Sequence, residues 1–128
     1  MGQGLNPSKK VRVVEYDFAR DGGALGVINL RGATLPKNAV LTSALVDVHT
    51  AVAGGAGSTI SIDLASESDV RGALPLTNYT TGIKACNQNG TATNAIKLTE
   101  PKMPTITIGE LPLTAGRFNV ILEYVISD

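Results

Sequence analysis

The chain has 128 residues, and its 11 basic and 11 acidic side chains leave it formally neutral. That balance argues against a dedicated nucleic-acid binder and against a polybasic membrane-surface segment. One cysteine, Cys86, excludes an intrachain disulfide framework, and no apolar run approaches the ~18 residues of a membrane-spanning helix.

Composition favours strands. Val, Ile and Thr number 11, 9 and 13, and β-branched side chains suit a pleated surface better than a helix. Fourteen glycines and six prolines punctuate the chain as turns do. Residues 1–10 carry little pattern and lack the apolar core of a secretory signal, so they read as an N-terminal arm to a domain over 11–128. Over 11–19 the side chains alternate, with Val14, Tyr16 and Phe18 on the buried face. Asp21-Gly22-Gly23 signals a turn, after which the apolar run Ala24–Leu30 is placed to form a hairpin with the preceding strand. Pro36 marks a loop over 32–39, because proline cannot donate within a central ladder.

Val40–Ala51 is the longest alternating run. Its even-numbered face (Val40, Thr42, Ala44, Val46, Val48, Thr50) is assigned to the core, and Leu41, Ser43, Leu45, Asp47 and His49 to the outside. A glycine turn over 53–57 leads into 59–65, where Ile60, Ile62 and Leu64 point in and Thr59, Ser61 and Asp63 point out. Ser66–Gly72 reads as one helical turn capped by Ser66 or Ser68. The Thr-, Asn- and Gly-rich stretch over 72–94 reads as irregular, and so long an irregular segment in a small domain marks function or mobility. Ala95–Thr99 and Thr105–Ile108 are short strands set apart by Pro101 and Pro104, and Leu113–Gly116 reads as a turn. Arg117–Ile126 closes the chain with Phe118, Val120, Leu122, Tyr124 and Ile126 buried. The expected fold is all-β: a single antiparallel β-sandwich, jelly-roll-like, of seven to eight strands with an N-terminal arm.

No reactive constellation emerges. Ser43, Asp47 and His49 share one strand face, where side chains project in parallel and cannot converge as nucleophile, base and orienter. Cys86 has no base or helix terminus beside it. Asp63, Glu67 and Asp69 form an acidic cluster without calcium-loop spacing, and the glycine-rich segments lack phosphate-cradle motifs. No catalytic residue, metal or cofactor is therefore expected. With no tryptophan and three tyrosines, platforms for sugars or bases are scarce. What remains is surface: exposed positions are small and polar, and only 17% of residues are charged, a depletion shared by interface cores.

Ala33-Thr34-Leu35-Pro36-Lys37-Asn38-Ala39-Val40-Leu41 leads into Val46-Asp47-Val48-His49-Thr50-Ala51, a glycine turn and Thr59-Ile60-Ser61-Ile62-Asp63. The chain closes with Leu113-Thr114-Ala115-Gly116-Arg117-Phe118-Asn119-Val120 and Glu123-Tyr124-Val125. This order resembles the small β-sandwich virion proteins of tailed bacteriophages, including capsid decoration or cement proteins. The resemblance implies a protein made in the host bacterial cytoplasm that attaches, as a trimer, to the outside of a capsid. Its implied partner is the major capsid protein, with no nucleic-acid or membrane partner. A tail, neck or fibre position, or a carbohydrate-binding module, is the alternative. The candidate contacts are Leu5, Asn6, Pro7, Lys9 and Lys10 in the arm, and Leu74, Leu76 and Tyr79 in the 72–94 segment.

Overall fold

Strand formation follows the alternation of apolar and polar residues. In the computed structural model, which describes residues 9–127, this yields β1 (Lys10–Asp17), α1 (Phe18–Asp21), β2 (Gly26–Asn29), β3 (Ala39–Gly54), β4 (Thr59–Asp63) and β5 (Arg71–Pro75). A 3₁₀ turn (Leu76–Tyr79), β6 (Gly82–Asn89), β7 (Ile96–Lys97), β8 (Thr105–Gly109) and β9 (Leu113–Ile126) complete the order. One sheet runs β1-β9-β3-β6, with β7 extending the β6 edge along β3; the other runs β2-β8-β4-β5. Every pairing is antiparallel. Interleaving strands between two facing sheets in this order is the double Greek key of a jelly-roll sandwich.

The core lies between the sheets. Val14 and Tyr16 from β1, Val46 and Val48 from β3, and Phe118, Val120, Leu122 and Tyr124 from β9 meet Ile60, Ile62, Ile106 and Ile108 from the opposite sheet. Tyr16 and Tyr79 flank Phe118, with ring centroids 5.4 and 5.7 Å away. Each such large side chain contributes roughly 1.5–3 kcal/mol on burial.

Several expectations are corrected. β1 and β2 do not form a hairpin. The Asp17 carboxylate accepts the Ala19 N–H at 3.0 Å and starts α1, which carries the chain across to the other sheet. Among the described residues the backbone pairing of the two regions is a single bridge between Glu15 and Arg31, and Phe18 leaves the strand to pack half-buried from α1. In β3 the register to β9 slips between Leu41 and Ser43, so Leu41 rather than Val40 points inward. A bulge adds one residue and inverts the alternation across it. A second slip beyond Val48 leaves Thr50 exposed.

Ser61 and Asp63 are buried rather than exposed, because the following loop folds over them. The Ser68 N–H donates to Asp63 at 2.7 Å, as do the hydroxyls of Ser61, Thr105 and Thr107 at 2.8, 3.2 and 2.8 Å. No helical turn forms over Ser66–Gly72. Instead the Asp69 carboxylate accepts the amides of Leu64, Ala65 and Ser66 at 2.8, 2.9 and 2.9 Å. The 72–94 stretch is largely regular, since β5, the 3₁₀ turn and β6 occupy most of it. Its polar inner residues hid the strand: Gln88 is buried, and its amide donates to the carbonyls of Asp69 and Asn94 at 2.8 Å. Leu113–Gly116 belongs to β9 rather than to a turn. There Gly116 has φ +138°, and a Cβ on it would sit 2.9 Å from the Val52 Cα, so β3 and β9 approach too closely for any side chain.

Candidate interaction surface

The groups with chemical potential are dispersed or already engaged. His49 Nε2 lies 3.8 Å from the Asp47 carboxylate and 3.2 Å from the Asn119 amide, on an exposed strand face. Ser43 projects from the same face four residues before Asp47 along β3. The Cys86 thiol is half-buried against the core, and burial pushes its pKa up to about 11, offset only in part by Arg71. Asp63 and Asp69 spend their oxygens on the hydrogen bonds above. Among the described residues no group of three or more His, Cys, Asp or Glu is placed to hold a metal ion.

The outer face of the β1-β9-β3-β6 sheet carries a different pattern. Opposed residues in an antiparallel ladder share a face. Val13 lies opposite Ile121, Ile121 opposite Leu45, and Leu45 opposite Ala85. One apolar row therefore crosses all four strands. Val13 is 49% exposed and Leu45 39%, well above the usual burial of such residues. Val11 and Ile83, 48% and 60% exposed, flank it one row to either side, Val11 level with Glu123 and Ile83 level with Asp47. Beside it runs the row Glu15, Asn119, Asp47 and Ile83, and on its other side stand Glu123 and Ser43. At the rim, Arg117 Nε donates to Glu15 at 2.9 Å and Arg31 Nη1 to the same carboxylate at 3.1 Å. Those guanidiniums, Arg117 foremost, hold the Glu15 carboxyl below its ordinary range. Contiguous exposed apolar residues with a polar rim mark a surface made for contact.

The opposite outer face differs. Its β4 and β8 residues Ser61, Asp63, Thr105 and Thr107 satisfy one another. Val27 is exposed there, on the edge strand β2.

Among the sequence candidates, Leu5, Asn6 and Pro7 lie outside the described residues. Lys9 is exposed, with its ammonium 3.6 Å from Glu123, and Lys10 opens β1 opposite Tyr124. Leu74 is half-buried in β5 opposite Ile60 and rests on the core. Leu76 lines a shallow groove of about 420 Å³ between the β3–β4 turn and Pro75–Thr77. Tyr79 is 0% exposed. Its hydroxyl donates to the Ile60 carbonyl at 3.2 Å, and the Arg71 guanidinium stacks on its ring at 4.6 Å. It is a core residue, because the 3₁₀ turn directs its ring inward against Phe118. Among the described residues, Lys9 and Lys10 at the start of β1 and Leu74, Leu76 and Tyr79 are not gathered into one patch. The Val13–Ile121–Leu45–Ala85 row has only a weak sequence signal, one or two apolar residues on the outer face of each strand; aligning the four requires the register.

No protein-family model matches the chain, and no curated protein is significantly similar to it. Solved structures match in fold. A chain in the cyanophage Pam1 capsid asymmetric unit superposes with a TM-score of 0.68 at 16% identity, over 99% of this chain and 91% of that one. A chain in the capsid of Ralstonia phage GP4 gives 0.64 at 18% identity, over 100% and 92%. One in the acidic stable capsid structure of Helicobacter pylori bacteriophage KHP30 gives 0.63 at 12%, over 94% and 89%. Each alignment takes in nearly all of both chains, so these neighbours are chains of about this size.

Proposed function

We propose that this chain is a structural component of a phage particle that attaches to the outside of the capsid and bridges neighbouring major capsid protein subunits. The observation that carries this reading is the end-to-end likeness to small chains of three phage capsids. The polar and ionisable side chains named above converge on no reaction centre. The chemistry of such a protein is contact area.

A clamp that binds only the assembled shell stabilises that state by mass action, by RT ln(1 + [L]/Kd) for each site. Several linked contacts strengthen the effect, since later ones become intramolecular. The proposed contacts with the shell are the arm over residues 1–10, with Lys9 and Lys10 at its base, and the groove beside Leu76. An extended arm adds a strand to an exposed sheet edge of a neighbour. A sugar-binding role finds no support: Tyr16, Tyr79, Tyr124 and Phe118 are all buried and Phe18 is half-buried, so the described aromatics offer no stacking platform.

The test is particle rupture on heating, with and without this protein. Rupture at lower temperature in its absence is expected; an unchanged rupture temperature overturns the stabilising role. Copy number separates positions in the particle. Hundreds of copies fit the shell, whereas a handful to a few dozen fit a tail, neck or fibre. Removing residues 1–8, which precede β1, is expected to leave the domain folded and to lower its occupancy on particles; full occupancy would remove the arm from the contact.

A further inference from the structure

We propose that the outer face of the β1-β9-β3-β6 sheet is where two copies of this chain pair, around a two-fold axis that runs along the strands between β9 and β3. An isologous contact demands self-complementarity, and this face has it. Turning a second copy about that axis lays its β9 over β3 of the first, and its β1 over β6, with each cross-strand row kept level.

Along the apolar row, Ile121 then meets the partner's Leu45, and Leu45 the partner's Ile121. At the ends, Val13 meets the partner's Ala85, a larger side chain against a methyl. In the row beside it, the Asn119 amide faces the partner's Asp47, a donor against a carboxylate. On the other side the Ser43 hydroxyl faces the partner's Glu123. These juxtapositions follow from the register alone: Val13–Ile121–Leu45–Ala85, Asn119–Asp47 and Glu123–Ser43 are each opposed pairs within one copy. Glu15 comes to the rim over the partner's Ile83, with its charge already held by Arg117 and Arg31.

The alternative axis, along the apolar row, is poorer. It sets Val13 on the partner's Val13 and Ala85 on the partner's Ala85, crowding one end of the row and leaving a gap at the other. Its polar pairs, Asn119 with the partner's Glu123 and Asp47 with the partner's Ser43, are equally well matched, so the apolar row decides between the two axes. A three-fold arrangement, which the virion-protein resemblance implied, contains no two-fold and leaves the matched rows unused.

Facing sheets of this kind pack ≈10 Å apart with strands nearly aligned. Four strands at ~4.8 Å spacing and about 20 Å of strand length give a footprint of roughly 400 Å² per copy. That is about half the ≈800 Å² per partner of a standard stable interface. Pairing is accordingly concentration-dependent in solution and becomes complete where attachment to a common surface holds two copies side by side.

The inference is read from this face and does not rest on capsid attachment; it is measured on the isolated full chain, so its failure and that of the capsid reading are distinct. Sedimentation equilibrium is run from about 10 µM to about 1 mM on the native chain, on Leu45→Lys, on Ile121→Asp and on an equimolar mixture of the two variants. Both side chains are at least partly exposed, and circular dichroism checks that each variant is folded. The native chain is expected to rise from one copy toward two, each variant alone to stay at one, and the mixture to recover two. Recovery follows because the lysine introduced in one variant then meets the aspartate introduced in the other. A native chain that stays single throughout, or reaches three copies, overturns the proposal. So does a mixture that behaves as the variants do alone, since only the axis between β9 and β3 brings positions 45 and 121 together.

Discussion

Arg31 grips Asp21 with two parallel hydrogen bonds, Nε to Oδ1 at 2.8 Å and Nη2 to Oδ2 at 3.1 Å. The same guanidinium reaches Glu15 through Nη1, and Asp21 also accepts the Asp17 amide at 2.8 Å. One side chain beyond β2 therefore ties α1 and β1 to the seam where the two sheets would otherwise splay. Replacing Arg31 by Ala is expected to cost about 1 kcal/mol in urea unfolding, a modest figure because the side chain is one-third exposed.

The same cluster gives the fold an acid limit. Burial alone would raise the Asp21 carboxyl, but Arg31 and the Asp17 amide prevail and hold it below its ordinary range; Glu15 is lowered by Arg117 and Arg31. Groups depressed on folding stabilise the native state above the unfolded-state value, about 4, and lose that contribution as pH falls through the folded-state values. Stability measured against pH should decline below about pH 4, and the decline should be shallower in Arg31→Ala. Identical acid profiles for the two proteins would rule out this cluster as the cause.

Asp63 gathers four donors, three hydroxyls and the Ser68 amide. Asp63→Ala leaves those buried donors without an acceptor and is expected to destabilise by about 2–3 kcal/mol. Asp63→Asn should cost less, since one carbonyl oxygen remains and hydroxyls can reverse their role, whereas the amide cannot. Equal loss in both variants would point to packing rather than hydrogen bonding.

Tyr79 separates core from contact. Tyr79→Phe removes only the hydrogen bond to Ile60 and should cost about 1 kcal/mol, with attachment to particles unchanged. Tyr79→Ala opens a cavity beside Phe118 and uncovers the buried Arg71 guanidinium, with an expected loss of about 3–5 kcal/mol. Weakened attachment in the Phe variant at full stability would return Tyr79 to the interface.

Cys86 reports on the same seam. A thiol whose pKa is moved from 9.0 to about 11 by burial has about 100-fold less thiolate at pH 8. Alkylation of the folded protein should be slower than that of the urea-unfolded chain by roughly this factor. Comparable rates would mean that β6 opens readily from the sandwich.

Where a strand keeps an uninterrupted period of two, its sequence determines which side chains are buried. Val14 and Tyr16 in β1, Ile60 and Ile62 in β4, and Phe118 through Tyr124 in β9 all follow the alternation, and with them the all-β sandwich. The low share of charged residues was equally plain, because composition needs no register. Tertiary structure decided the rest. The bulge that turns Leu41 inward, the burial of Asp63 and the placement of Gln88 and Tyr79 arise from contacts between segments far apart in the chain. The apolar row does too: Val13, Leu45, Ala85 and Ile121 lie on four separate strands and become neighbours only when strand pairing sets them level. Local periodicity reports how one strand meets its own core; only the pairing register, fixed by non-local packing, tells which exposed side chains stand together.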